Sequence, residues 1–166
     1  KEIGMKKRAI HFLAVLLLAF QAANAATLVG VSDTISTSAP SVSANHTIRF
    51  TLGTAIPASG KIIITPQAGQ FTIPAGLDYT DIDLADDGAD LTLGSSAGCG
   101  TGSSVGVSVA TGTSGSLTFT LNDTDAIAGS SSIAIEIGTH ATAGEAGNQQ
   151  ITNPSATSSY TIQIET

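Results

Sequence analysis

The stretch Ser116-Leu117-Thr118-Phe119-Thr120-Leu121 decides the fold class, because polar and apolar residues alternate along it without a break. Successive side chains of an extended strand point to opposite faces, so this period of two predicts a half-buried strand. Four further runs share the pattern: 47–52, 61–64, 132–137 and 160–164. In each run one face collects Ile, Leu, Phe or Tyr, which indicates a common apolar core.

Weaker runs of the same kind extend the pattern over the rest of the chain. They are 28–35, 70–73, 79–84, 91–93 and 105–109. Together the runs predict about ten strands separated by Gly, Ser, Asn, Asp and Pro, while helical periodicity is nearly absent. Because the connections are too short for crossover helices, the sheets should be mainly antiparallel. The predicted fold is all-β, an antiparallel immunoglobulin-like β-sandwich.

A cleavable leader is predicted at the N-terminus. Lys6-Lys7-Arg8 precedes the apolar run 9–20, and Ala23-Asn24-Ala25 supplies the small residues of a signal-peptidase site. The apolar run is too short to span a bilayer, so residues 1–25 indicate a secretory signal peptide. Residues 26–166 are then expected to form one domain, secreted or held at a bacterial cell surface.

The charge balance of the predicted mature chain excludes several function classes. Processing removes four cations and one carboxylate, which leaves two cations against twelve carboxylates, a net charge of −10. Such a surface repels nucleic-acid phosphates and anionic lipids, so neither nucleic-acid binding nor electrostatic docking on a membrane is expected. No second long apolar run follows the leader, so membrane insertion after cleavage is not expected either. Cys99 is the only cysteine, so a disulfide within the chain is impossible. It is expected to be a free thiol or to form a disulfide between subunits.

Six carboxylates fall within residues 78–90, the densest polar feature of the chain. Clustered carboxylate oxygens without nitrogen or sulfur ligands suit calcium, the one cofactor considered. The candidate ligands are Asp81, Asp83, Asp86, Asp87 and Asp90. The spacing does not match an EF-hand loop, and Asp-Gly is also a common turn dipeptide. A solvated acidic turn without a metal is therefore the alternative interpretation.

Catalytic patterns are weak, and the chain is not expected to be an enzyme. His46 and His140 lie in neither a nucleophile elbow nor a metal-ligand spacing, so no catalytic residue is predicted. Lys61 begins an apolar run, where a lysine discourages edge-to-edge pairing of strands. The alternative for Lys61 is a covalent bond to an Asn or Asp, which requires a buried lysine.

The runs 44–51, 56–66 and 79–84, together with 127–133, 151–155 and 159–162, resemble secreted bacterial surface proteins. The shared motifs are a hairpin with the turn Pro57-Ala58-Ser59-Gly60 and an Asn153-Pro154 entry to a strand. The resemblance covers most of the predicted mature chain. It implies an immunoglobulin-like surface or appendage module and transfers no catalytic residue.

These observations favour a non-catalytic structural or adhesive module of the cell surface. In its more specific form the chain is a pilus-like filament subunit, in which the segment 26–35 leaves its own sandwich and completes that of a neighbour. The expected partners are other copies of the chain, other surface proteins or glycans. The alternative is a calcium- or glycan-binding surface module, although aromatic residues that could stack on sugars are few.

Overall fold

The computed structural model describes residues 27–100, 102–144 and 146–166, so the predicted leader lies outside the described residues. Over these ranges the chain is all-β, with one short 3-10 helix, Tyr79–Asp81, and no α-helix. The prediction of an all-β chain is confirmed. The strands are β1 Leu28–Ile35, β2 Ser43–Ala44, β3 His46–Leu52, β4 Lys61–Pro66, β5 Ile82–Asp86, β6 Ala89–Asp90, β7 Leu93–Gly94, β8 Val105–Ala110, β9 Ser116–Leu121, β10 Ser132–Ile137, β11 Ile151–Thr152 and β12 Ile162–Glu165.

Two five-stranded sheets account for most of these strands. The first has the order β1-β3-β10-β5-β6, and all its neighbouring strands are antiparallel. The second has the order β12-β4-β9-β8-β7, antiparallel except for the parallel pair β7–β8. β2 and β11 form a separate two-stranded ladder. Buried side chains from both large sheets join in one cluster, an arrangement consistent with a β-sandwich.

The core follows the alternation seen in the sequence. In β9, Leu117, Phe119 and Leu121 are buried, while the residues between them are only half-buried. Ile133 and Ile135 of β10 are fully buried in the same way. Burying an aliphatic side chain of this size stabilises a fold by about 1.5–3 kcal/mol. With no tryptophan in the chain, aliphatic packing supplies most of the core.

Three of the weaker runs differ from the prediction, and of the run 91–93 only Leu93 lies in a strand, β7. The run 70–73 forms only isolated bridges, at Thr72 and Ile73. The run 79–84 begins as the 3-10 helix, because a reciprocal capping box replaces strand pairing there. The Asp78 side chain accepts from the backbone N–H of Thr80, and the Asp81 side chain accepts from that of Asp78. Asp81 therefore does not alternate with Asp83 on a strand.

The turn dipeptide Asp87-Gly88 joins β5 to β6. Both residues have positive φ, 50° and 83°, as a two-residue type I′ hairpin turn requires. Pro57-Ala58-Ser59-Gly60 is also a turn, closed by Gly60 N–H donating to Pro57 O at 2.8 Å. It does not make a hairpin, because β3 and β4 lie in different sheets. Asn153-Pro154 follows β11 directly, so it is a strand exit and not the predicted strand entry.

Candidate functional site

The strands β1 and β12 end the two large sheets at the same side of the molecule. Between them lies a cavity of about 360 Å³, called here the β1–β12 groove. Side chains from both edge strands and from the core line it, including Ile35, His46, Ile48, Phe71, Tyr160 and Ile162. The groove is thus an opening toward the core at the edge of the sandwich.

β1 is the longest of the four strands that end the large sheets in the described part of the chain. Seven of its eight residues are exposed, and only Leu28 is half-buried against the core. The exposed large hydrophobic side chains are concentrated here and just beyond: Val29 at 58%, Val31 at 52%, Ile35 at 36% and Val42 at 45%. An exposed apolar edge of this kind offers main-chain and side-chain contacts to another strand.

One charged side chain of β1 points toward the groove. Asp33 lies opposite Ile48 in the register with β3, on the inward side of the sheet. Its Oδ2 is 2.8 Å from Nδ1 of His46, which is 1% exposed. An ionised carboxylate can only accept, so Nδ1 carries the proton in this contact. Among the described residues, the buried Nε2 of His46 has no hydrogen-bond partner, so Asp33 is the polar partner of this imidazole.

Aromatic rings continue the groove beyond His46. The imidazole and the Phe71 ring meet edge to face at 6.2 Å between centroids, and Phe71 meets Tyr160 in the same way at 5.8 Å. The Tyr160 hydroxyl donates to Ala156 O at 2.6 Å. The row of rings therefore links β3 to the segment that precedes β12.

Asp81 is 1% exposed and holds a loop through its carboxylate. Its Oδ1 accepts from the backbone N–H groups of Asn148 at 2.6 Å and Gln149 at 2.8 Å. Its Oδ2 accepts from the N–H of Asp78 at 3.1 Å. Three backbone donors compensate for the burial of this charge, so Asp81 has a structural role in this conformation.

The other candidate calcium ligands lie in three different surroundings. Asp83 Oδ2 accepts from the backbone N–H groups of Thr142 and Ala143 at 2.6 and 2.9 Å. Asp83 and Asp90 line a cavity of about 400 Å³ next to the 3-10 helix. Asp87 instead accepts from the N–H of Ser132, the first residue of β10, at 2.8 Å. Asp86 lines a different cavity, beside Asp125.

No three His, Cys, Asp or Glu side chains in the described ranges are grouped closely enough to hold a metal ion. The structure brings Asp83 and Asp90 together and directs Asp81 and Asp87 to backbone donors. Calcium binding stays a prediction. Beside this cluster, hydrogen bonds from the Thr80 hydroxyl and the Thr80 N–H lower the pKa of Asp78 below its usual range.

Three other residues with reactive or ionisable side chains are Cys99, His140 and Lys61. Cys99 is exposed, and a hydrogen bond to the Asp123 carboxylate raises the pKa of its thiol. Nε2 of His140 is 2.9 Å from the Thr47 hydroxyl. Lys61 is exposed at the first position of β4, so the alternative of a buried, covalently bonded lysine is wrong.

Comparison with known proteins adds no assignment: no protein-family model matches the chain, and no curated protein matches it significantly. In the ranges that the structure describes, no helix is long and apolar enough to cross a membrane.

Two residues at the groove were missed by the analysis of the sequence. Asp33 is one polar position in an alternating run, and its partner His46 matches no catalytic or metal-ligand spacing. Asn153, which is 6% exposed, binds the segment after β1: its Nδ2 donates to Thr37 O at 2.8 Å and to Ala39 O at 3.2 Å. Its place next to Pro154 was the only signal, because these contacts join residues more than one hundred positions apart.

Proposed function

We propose that the chain is a non-catalytic structural or adhesive module of the cell exterior that contacts its partners through the β1 edge. The observation that carries the proposal is the concentration of exposed apolar side chains on β1 and just after it. Soluble proteins rarely leave such side chains together unless they meet a partner. The leader-like sequence 6–25 supports an exterior location, because it has the three parts of a secretory signal.

In its finer form the module is immunoglobulin-like and is a filament subunit, in which the segment 26–35 completes the sandwich of a neighbouring copy. The exposure of β1 supports this form, since a strand with one half-buried apolar residue leaves its own sandwich at little cost in buried apolar surface. Two copies of this acidic chain repel each other, so a contact between them is best made by an uncharged stretch. Residues 28–32 of β1 carry no charge.

Electron microscopy of the native secreted material, with light scattering of the purified chain, tests the proposal. Wild-type protein should form filaments, layers or oligomers at high concentration. Val31→Lys, which places a charge on the β1 edge, should reduce assembly, because edge lysines block strand pairing. Ser114→Lys, at an exposed position between β8 and β9, is the matched control and should assemble normally. Wild-type chain that stays monomeric at high concentration and forms no assembly on cells would refute the proposal.

A further inference from the structure

The edge of β3 on which β1 lies fits only a strand with a particular pattern of side chains. Leu28 lies opposite Leu52 and is half-buried against the core, and Asp33 lies opposite Ile48 with its carboxylate on His46. If β1 leaves, the buried imidazole loses its polar partner, because its other nitrogen already has none in the described part of the chain. A strand that replaces β1 must therefore supply a carboxylate five positions after an apolar residue.

The segment that joins β1 to β2 has the features of a hinge. Residues 36–42, called here the hinge segment, contain Pro40 and, directly after it, Ser41 with φ of +58°. A non-glycine residue in this left-handed region is strained, and extension of the segment would relieve the strain. Strained connections of this length favour exchange of the attached strand between copies.

Asn153 and Pro154 hold the hinge segment in its compact form. The Asn153 side chain donates to Thr37 O and Ala39 O, and its backbone N–H donates to Val42 O at 3.0 Å. The N–H of Ser41 donates to Pro154 O at 3.0 Å. Four hydrogen bonds from one short segment therefore close the hinge.

We propose that the β3 edge is an acceptor site for β1 of a second copy of this chain, that His46 selects that strand through its Asp33, and that Asn153 limits how readily the strand is exchanged. The inference rests on the proposed function and names the partner and the control of the same edge. A second copy is the fitting occupant because its β1 carries the required Leu28 and Asp33 in the register already seen within one chain. The β1–β3 contacts between two copies are the same as those within one chain, so the protein concentration sets the ratio of exchanged to unexchanged material.

A cross-strand cysteine pair tests the exchange in the full chain, with Cys99→Ser as background. Val29 and Thr51 are partners in the β1–β3 register, so Val29→Cys with Thr51→Cys can form a disulfide there. In exchanged material this disulfide joins two chains. The matched control is Thr51→Cys with Ser132→Cys, whose strands β3 and β10 both remain in the body of one copy.

After oxidation of the assembled material, denaturing electrophoresis without reductant should show crosslinked chains for the first pair and single chains for the control pair. Assembled material in which both disulfides stay within one chain would overturn the exchange and leave the structural-module proposal standing. Absence of assembly would instead count against both.

The selecting role of His46 is tested by competition with a synthetic peptide of residues 27–36. The peptide should block assembly, and the Asp33→Ala peptide should need at least about tenfold more, because the buried N–H of His46 then has no oxygen to donate to. Equal potency of the two peptides would refute selection by His46.

The role of Asn153 is tested by the rate at which two differently labelled populations exchange subunits. Asn153→Asp keeps the side-chain size but replaces the donor with an oxygen that repels the two carbonyls, so exchange should be about tenfold faster. Asn122→Asp is the control: Asn122 is equally buried and donates to Gly98 O at 2.8 Å, away from the hinge segment. Equal acceleration in both variants would show general destabilisation and overturn this role.

Discussion

Replacement of Asp81 by alanine distinguishes a structural role of this carboxylate from a role as a metal ligand. The substitution removes the acceptor of three backbone N–H groups, those of Asp78, Asn148 and Gln149. A hydrogen bond to a charged group contributes about 1.5–3 kcal/mol, but water reaches the exposed Asn148 loop and replaces part of what is lost. We therefore expect the free energy of unfolding to fall by about 2–4 kcal/mol.

Asp81→Asn should cost about half as much, because the amide oxygen still accepts from the loop while its NH₂ group faces the Asp78 N–H. Asp90→Ala, at an exposed position in β6, is the control and should change stability by less than about 0.5 kcal/mol. The assay is urea unfolding followed by circular dichroism, with chelator and again with millimolar calcium. The expected loss in chelator corresponds to a melting temperature lower by roughly 5–15 °C.

An Asp81→Ala variant as stable as wild type in chelator would refute the structural role of this carboxylate. If calcium stabilises the wild type and this stabilisation disappears in the variant, the carboxylate acts as a metal ligand, which would also refute it. A loss of stability that is the same with and without calcium supports the structural role.

Three further predictions concern residues outside this loop. Asp123→Asn should lower the pKa of the Cys99 thiol and speed its alkylation near pH 8 by about twofold or more, because the thiolate is the reactive form; an unchanged rate would contradict the hydrogen bond. Gly138→Ala should lower the free energy of unfolding by about 2 kcal/mol or more, because φ is +125° and the new methyl group meets Asn45. Gly144→Ala is its control: the new methyl group meets nothing within 4 Å and should be close to neutral in the same unfolding assay. Phe119→Ala should cost about 3–5 kcal/mol from the centre of the core, and a loss below about 1 kcal/mol would contradict its burial.

Strand identity was predictable where alternation was strong. The runs that became β3, β4, β9 and β10 match within one or two residues, because the two-residue period of side-chain direction is a local property of the backbone. The run 160–164 was placed two residues early relative to β12. The type I′ turn at Asp87-Gly88 is likewise a local feature, because it depends on two adjacent residues that tolerate positive φ.

Elements shaped by side-chain hydrogen bonds were less predictable. The reciprocal caps of Asp78 and Asp81 turned the start of a predicted strand into a 3-10 helix. The two-residue strands β2, β6, β7 and β11 carry no periodicity long enough to detect, and the predicted run 91–93 overlaps β7 at one residue. The acidic run 78–90 shows that six carboxylates are close together in the sequence. It does not show which of them accept hydrogen bonds from backbone N–H groups.

The sequence by itself determined the all-β class and the position of most strands, since local periodicity and turn chemistry suffice for these. Only the tertiary structure decided which strands share a sheet, that β1 and β12 border one groove, and that Asp33 meets His46 there. The hydrogen bonds from Asn153 to the hinge segment were also decided only by the tertiary structure. Asp33 and His46 are 13 positions apart and meet only when β1 pairs with β3. The groove and the Asn153 contacts join residues far apart in the chain, so they exist only once both sheets have packed on the common core.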